Sequence, residues 1–444
     1  MKTEGLSIPK GIRLLIPLIA LIFLILMRQQ LTFFVFLSAF LILIDIYALG
    51  GLSSLSNSTS DKRIVVILYI AISIIGYYGI FKSIQLWRTD PLGRTDFMNF
   101  IIGFSFVLIT TKFVFISALA IQDIGRVIIG SVQWILVLFN SQTDSAAQIP
   151  GRRAVITSAA VGLASVPFLS MLYGITRGKY RFTVEKLNLG FKDLPSTFDG
   201  LRIVQISDVH SGSWDNIEEV KKGIQKIQET NPDLIVFTGD LVNEFKDEIN
   251  PYIPYFGQLS APLGKYAVLG NHDYYGSPRD PNERAGYWTN FYEKYRAMGF
   301  DLILNQNRTV KKDNDSIKLV GVENWGAGRW FPKRGDLDKA LEGCNEHDFC
   351  VLLSHDPTHW DMKVLQHKKH IHLTLSGHTH GMQFGINLPG LRWSPIKYRY
   401  KRWIGKHEEA GQFLYINRGF GYLGFPGRVG MWPEITVIEL SKMS

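Results

Sequence analysis

Cysteine is scarce in this chain: only Cys344 and Cys350 occur among 444 residues. Their spacing fits neither a zinc knuckle nor a redox pair. Cys350 opens the apolar run "CVLLS", where a small buried side chain is a simpler reading than half of a disulfide. Charge is scarce in particular places. Ionised residues nearly vanish from "LTFFVFLSAFLILIDIYAL" (31–49), "IVVILYIAISIIGYYGIFKSIQLW" (64–87), "MNFIIGFSFVLITTKFVFISALAI" (98–121) and "AVITSAAVGLASVPFLSMLYGI" (154–175). Each run reaches the roughly 20 mostly apolar residues that crossing a bilayer takes, which argues against a wholly soluble chain. "RLLIPLIALIFLILM" (13–27), extended back to Ile8, makes a fifth candidate. "VIIGSVQWILVLF" (127–139) is too short and is expected to lie at the membrane surface. Acidic residues are the minority sign, and the net charge is +9. That balance admits nucleic acid, an anionic membrane or an anionic substrate. With spans upstream, the bilayer or a phosphorylated substrate is favoured, and no specific nucleic acid is expected.

Two ionisable residues do fall inside apolar runs, Asp45 and Lys112. Such residues are costly in lipid and often functional. Here mutual pairing is the expectation, because Asp45 is near a span end and Lys112 can reach or snorkel. The Lys and Arg of short loops set orientation. With five spans, Lys2, Lys10, Arg13, Lys62, Arg63, Arg126, Arg152 and Arg153 share one side, against Arg28, Arg88 and Arg94 on the other. The cell membrane then holds a multi-pass anchor, and the C-terminal domain lies on the non-cytoplasmic side. "GRRAVITSAAVGLA" also looks like a weak twin-arginine signal. With four spans the loop charges no longer agree with one another. The organisation expected is a multi-span region over 1–153, a last span and linker over 154–179 and a soluble domain over 180–444.

From "YRFTVEKLNLGF" onward the pattern changes. "LRIVQISD", "DLIVFTGD", "YAVLGNHD", "KLVGVEN", "FCVLLSHD", "IHLTLSGHTH", "QFLYINRG" and "EITVIEL" read as short strands, rich in Val, Ile and Leu as strands covered on both faces are. Between the first two, Ile217, Val220, Ile224 and Ile227 recur along one face of an amphipathic helix. Strand–helix–strand alternation predicts an α/β domain, and the irregular later connections favour two packed sheets with helices outside.

The ends of these strands carry the chemistry. "ISDVH" supplies Asp208 and His210, "TGD" Asp240, "GNHD" Asn271, His272 and Asp273, "LSHD" His355, and "SGHTH" His378 and His380. A single Asp after an apolar strand is usually a cap or turn residue. Five strand ends tipped with oxygen and nitrogen donors exceed what capping explains, and in α/β folds sites gather beyond the carboxyl ends of strands. The glycines around His378 and His380 are expected to let that turn approach a metal closely.

The ordered set D-x-H, G-D, G-N-H-D, S-H and G-H-x-H over roughly 201–440 resembles the calcineurin-like metallophosphoesterases, in particular bacterial membrane-anchored ones. The resemblance implies that family's sandwich of two packed sheets flanked by helices, preceded here by an all-α membrane domain. It implies two divalent metal ions of manganese, iron or zinc type, with Asp208, His210, Asp240 and His380 on one and Asp240, Asn271, His355 and His378 on the other. Asp240 would bridge. His272 would be the general acid or an oxyanion donor, and Asp273 would orient it. The implied activity is hydrolysis of a phosphoester or pyrophosphate, with some of the group acting on nucleotide-linked lipid precursors. Alternatives are a metal-dependent nuclease or nucleotidase on soluble substrates, and a non-catalytic membrane sensor. The other histidines, His347, His359, His367, His370, His372 and His407, are expected at the surface or in packing roles. "WGAGRWFPKRG" and "KYRYKRW" would grip a phosphate, a base or headgroups, or be a solvated basic face. "RGFGYLGFPGRVG" would line the site's mouth or merely join the last two strands.

Overall fold

The computed structural model describes residues 29–55, 58–89, 96–139, 152–329 and 331–443. Strands that carry apolar side chains on both sides need cover on both sides, and two sheets provide it. The first sheet comprises β1 (Thr183–Phe191), β2 (Arg202–Ile206), β3 (Leu234–Phe237), β4 (Lys265–Ala267), β5 (Asp301–Leu302) and β14 (Glu434–Lys442), ordered β1-β14-β2-β3-β4-β5. The second comprises β6 (Gln306–Lys312), β7 (Asp315–Gly321), β8 (Cys350–Leu353), β9 (Leu373–Ser376), β12 (Gly405–Glu409) and β13 (Gln412–Ile416), ordered β12-β13-β9-β8-β7-β6. The β2–β3–β4 and β7–β8–β9 stretches are parallel. A separate hairpin pairs β10 (Ile386–Leu388) with β11 (Leu391–Trp393).

Side chains alternate across each strand. Ile203 and Val236 of the first sheet meet Val351, Leu353 and Leu375 of the second in one core. Their neighbours Val204, Ile206 and Phe237 point the other way, onto Val220, Ile224 and Ile227 of the helix Ile217–Glu229. Full burial of each such side chain stabilises the fold by about 1.5–3 kcal/mol. The Asn216 side chain caps that helix by accepting from the backbone N–H groups of Glu218 and Glu219. The outer face of the second sheet, through Val320, Leu352 and Leu414, is covered by Trp360 and Val364. A further helix, Pro281–Ala297, buries Phe291 and Tyr295 against the first sheet's outer face.

The chain divides into two units. One takes in Ile75–Val107 and Leu169–Ser444, and the other holds the described residues up to Ile74 together with Leu108–Phe168. The apolar runs form α1 (Gln29–Leu52), α2 (Thr59–Thr89), α3 (Asp96–Phe139) and α4 (Arg152–Thr176). Among the described residues, three stretches are long and apolar enough to cross a membrane: Thr59–Lys82, Phe97–Val132 and Val155–Thr176. The candidate span 8–27 lies outside the described residues. The segment 127–139, expected at the membrane surface, is not a helix of its own. It continues α3, a helix of 44 residues, because no proline interrupts the chain and Gln122, Asp123 and Arg126 are compatible with helix. The expected pair is present: Lys112 Nζ lies 2.7 Å from Asp45 Oδ1 and 2.7 Å from Ser73 Oγ, and Tyr69 donates to the same carboxylate oxygen at 2.7 Å.

Candidate metal centre

Strands β2, β3, β4, β8 and β9 end at the same rim, and the turns that follow them are stitched together by backbone. Asp208 N–H donates to Gly239 O, His210 N–H to Asp240 O, and Gly377 N–H to His355 O. The turns are strained. Asp208, His210, Asp240, His378 and His380 all have positive φ, between 47° and 74°. A non-glycine residue held there costs on the order of 1–3 kcal/mol, and such residues gather at functional sites. Glycine acts beside them through size. A Cβ on Gly377 would stand 2.2 Å from Asp208 Oδ2, and one on Gly270 would stand 2.2 Å from Asp240 Oδ1. The small residues therefore let one ligand-bearing turn lie directly on another.

Two groups of donors result, Asp208 with His210 and His380, and Asp240 with His355 and His378. In the first, His380 Nε2 is 3.1 Å from His210 Nε2 and 3.2 Å from Asp208 Oδ1. In the second, His355 Nε2 is 3.1 Å from Asp240 Oδ2 and 3.3 Å from His378 Nδ1. Asn271 joins the second group, its Oδ1 lying 2.8 Å from His378 Nδ1, while its amide N–H donates to Tyr275 Oη. Asp240 Oδ2 is also 3.5 Å from His210 Nε2, so this carboxylate faces both groups. Bonds of about 2.0–2.2 Å to one cation put neighbouring ligand atoms about 3.0–3.5 Å apart. The observed separations fit two divalent cations, and the mixed nitrogen and oxygen donors suit manganese, iron or zinc.

The far side of each ring decides which nitrogen can ligate. His355 Nδ1 donates to Thr238 O at 2.7 Å, which makes Nε2 the nitrogen that faces Asp240 and the donor group. His378 turns Nδ1 inward and sets Nε2 at 2.8 Å from Tyr400 Oη and 3.4 Å from Asp356 Oδ2. His380 Nδ1 faces the fully buried Arg428 guanidinium at 3.1 Å. Asp356, Tyr400 and Arg428 escaped notice in the sequence. Asp356 directly follows His355, and the other two lie within the basic aromatic and glycine-rich segments. "WGAGRWFPKRG" also reaches the centre, with the Phe331 ring edge-on to His378 at 4.8 Å.

His272 donates from Nδ1 to Asn243 O at 2.7 Å, and its ring lies 4.9 Å from that of His210. Asp273 does not orient it. The Asp273 carboxylate instead accepts from the backbone N–H groups of Gly270, Asp240 and Leu241, at 2.8 to 3.0 Å. Buried at the root of the Asp240 turn, it braces that turn through those backbone amides, and a main-chain carbonyl holds His272. Burial and the Asp240 charge push Asp273 up to about 7, against those amide bonds. Burial alone would lower His355, but Asp240 outweighs it and holds the imidazole up to about 10. Burial likewise drives His210 well below its ordinary value. Burial would raise Asp208, yet His380 outweighs it and keeps the carboxylate below its usual range.

The remaining histidines stay outside both groups. His359 pairs with Ser354 Oγ, His372 with Asp193, His367 with Asp338 and His407 with Ile404 O. His347 is exposed, and His370 packs on His372. Cys344 and Cys350 are both free thiols.

Comparison with known proteins agrees with this geometry. The family model "Calcineurin-like phosphoesterase" matches residues 201–382. A second, "Probable Calcineurin-like phosphoesterase, transmembrane domain", matches residues 13–179. The uncharacterized metallophosphoesterase YkuE of Bacillus subtilis is 32% identical over 253 residues, 56% of this chain and 82% of that protein. A transmembrane protein with metallophosphoesterase domain from Danio rerio is 30% identical over 277 residues, and the match spans 61% of this chain but only 60% of that relative. The UDP-2,3-diacylglucosamine pyrophosphatase LpxG of Chlamydia trachomatis is 29% identical over 317 residues, 60% of this chain and 92% of that protein.

Proposed function

Because this chain belongs to the calcineurin-like metallophosphoesterase family, we propose that it is a membrane-anchored phosphohydrolase that cleaves a pyrophosphate or phosphoester bond in a lipid-linked substrate. The observation that carries this reading is the position of Asp240, whose Oδ2 lies 3.1 Å from His355 Nε2 and 3.5 Å from His210 Nε2, between two complete donor groups. Asp208, His210, Asp240 and His380 would hold one divalent cation, and Asp240, Asn271, His355 and His378 the other. Two such cations supply, when bound, the positive charge that polarises a phosphoryl group and acidifies water.

His272 is placed to handle the leaving group. Its Nδ1 proton is committed to Asn243 O, so Nε2 is the atom that gives or takes a proton, or donates to a developing oxyanion. Asp273 keeps the Asp240 turn in its strained conformation and acts through that ligand. The anchor favours a substrate with acyl chains, and the pyrophosphatase relative from Chlamydia trachomatis is named for a diacylated nucleotide sugar. Tethering then raises the local concentration of enzyme at its substrate. With five spans, the excess of Lys and Arg in alternate loops supports a catalytic domain on the non-cytoplasmic side.

The test uses full-length protein loaded with manganese against an aryl phosphodiester, a nucleotide-diphosphate-linked lipid and single-stranded DNA. The expected result is preference for the lipid, with release of a nucleoside monophosphate. Equal or better hydrolysis of DNA or of a free nucleotide would move the protein to the nuclease or nucleotidase class.

A further inference from the structure

The hairpin of β10 and β11 belongs to neither sheet. Only three residue pairs hold it together, Ile386 with Trp393, Asn387 with Arg392 and Leu388 with Leu391. A two-stranded hairpin is marginal in water without an apolar face to pack on. This one turns its apolar residues outward. Leu388 is 58% exposed and Leu391 51%, and Ile386, Met382 and Tyr398 near its base are exposed as well. The segment 381–403 contains no Asp or Glu, while Arg392, Lys397, Arg399 and Lys401 are exposed. An apolar tip ringed by cations is the pattern of a segment that enters the headgroup region of an anionic bilayer.

The root of the hairpin ties that pattern to a place. Gly385 N–H donates to Val429 O and Val429 N–H to Gln383 O, while the Gln383 amide donates to Phe425 O and Gly427 O. The same 425–432 loop is held from its other side by membrane-helix residues. Arg428 N–H donates to Gly174 O of α4, Trp432 packs edge-on to Tyr173, and Phe425 packs edge-on to Phe106 of α3. The hairpin therefore leaves the catalytic body beside the segments where α3 begins and α4 ends. Three residues of strand reach about 10 Å, which matches the roughly 5–10 Å depth of the headgroup and acyl boundary. The segment also adjoins the candidate metal centre. It starts directly after His380 and contains Tyr400, whose hydroxyl is 2.8 Å from His378 Nε2.

We propose that the β10–β11 hairpin inserts Leu388 and Leu391 into the anionic leaflet to which the protein is anchored, holding the donor groups at the level of lipid headgroup phosphates. The inference deepens the lipid-linked reading above, but the depth of the hairpin is measured without any substrate. Full-length Cys344→Ser, Leu388→Cys protein, carrying an environment-sensitive fluorophore on the new thiol, is placed in nanodiscs of phosphatidylcholine and phosphatidylglycerol. Insertion predicts strong quenching by nitroxide-bearing lipid and weak quenching by aqueous iodide. The reverse pattern overturns the proposal. Failure of the substrate reading looks different: the unlabelled protein hydrolyses no lipid-linked substrate, whatever the fluorophore reports.

Discussion

The helices of the unit holding α1 and the two-sheet body treat buried charge and exposed apolar surface in opposite ways. In the unit holding α1, large side chains such as Phe36, Phe40, Leu43, Ile67 and Leu68 face outward, and small ones such as Ala48, Ala160 and Ala164 fill the interior. That arrangement suits a lipid solvent, in which close helix approach rather than water exclusion holds helices together. In the two-sheet body the Ile, Val and Phe of the central strands are inside. Charge inside the first unit completes itself, because Asp45 meets the Lys112 cation and the Tyr69 hydroxyl, and Lys112 also donates to Ser73 Oγ. Charge at the strand ends does not. His210 Nε2 and Asp208 Oδ1 lie 3.1 and 3.2 Å from His380 Nε2, and all three are lone-pair atoms once ready to ligate. A buried pair that satisfies itself is structural. A buried set of acceptors that only a cation can satisfy marks a site.

This contrast breaks most visibly at the ligands. Asp208→Ala or His380→Ala should reduce metal-dependent hydrolysis to background and lower bound metal, while circular dichroism stays that of the folded protein. Near-normal turnover in either variant would remove the distinction between the two kinds of buried charge.

The self-completing pair should behave as a unit of stability instead. Asp45→Asn and Lys112→Met should each destabilise the protein by a few kcal/mol, because each leaves a buried partner uncompensated. The double variant should recover about 0.5–3 kcal/mol of the summed loss. Strictly additive losses, measured by unfolding in lipid nanodiscs, would mean the two residues do not act together.

The smallest effect belongs to Asp247, a half-exposed carboxylate paired with the largely buried Lys294, which belongs to neither class. Hydrogen bonding to Lys294, reinforced by Lys246, holds Asp247 down to about 2, and Lys294 Nζ is 2.9 Å from Oδ1. A carboxyl whose folded value is depressed stabilises fully above its unfolded value of about 3.9 and loses that contribution as pH falls toward about 2. Asp247 is half exposed, so the contribution is below about 1 kcal/mol. Lys294→Met should lower the melting temperature slightly at neutral pH, and the difference from wild type should shrink in acid. A difference that grows in acid would contradict the sign.

Much of this architecture is legible in the residue order. The cores of β2, β3, β8 and β9 stand out because burial on both faces demands unbroken Val, Ile and Leu, and each run ends at a ligand. β6 is far less visible: "QNRTVKK" is a polar edge strand whose burial comes from one side. The helix Pro281–Ala297 hides for the opposite reason, since aromatic residues Tyr287, Trp288, Phe291, Tyr292 and Tyr295 spread around it without a clean apolar stripe. The length of α3 is also illegible, because a few polar residues inside a helix look like a boundary to hydropathy alone.

Local chemistry determined the candidate ligands, the apolar runs and the Asp45–Lys112 pair, because residue type limits what an atom can bind or which solvent it tolerates. Tertiary structure alone decided that Asp273 braces a turn rather than an imidazole, that Asp356, Tyr400 and Arg428 stand behind the ligand histidines, and that the hairpin leaves beside the membrane helices. Those roles depend on which distant backbone groups come within hydrogen-bonding reach, and only the packing of the two sheets and their loops sets those distances.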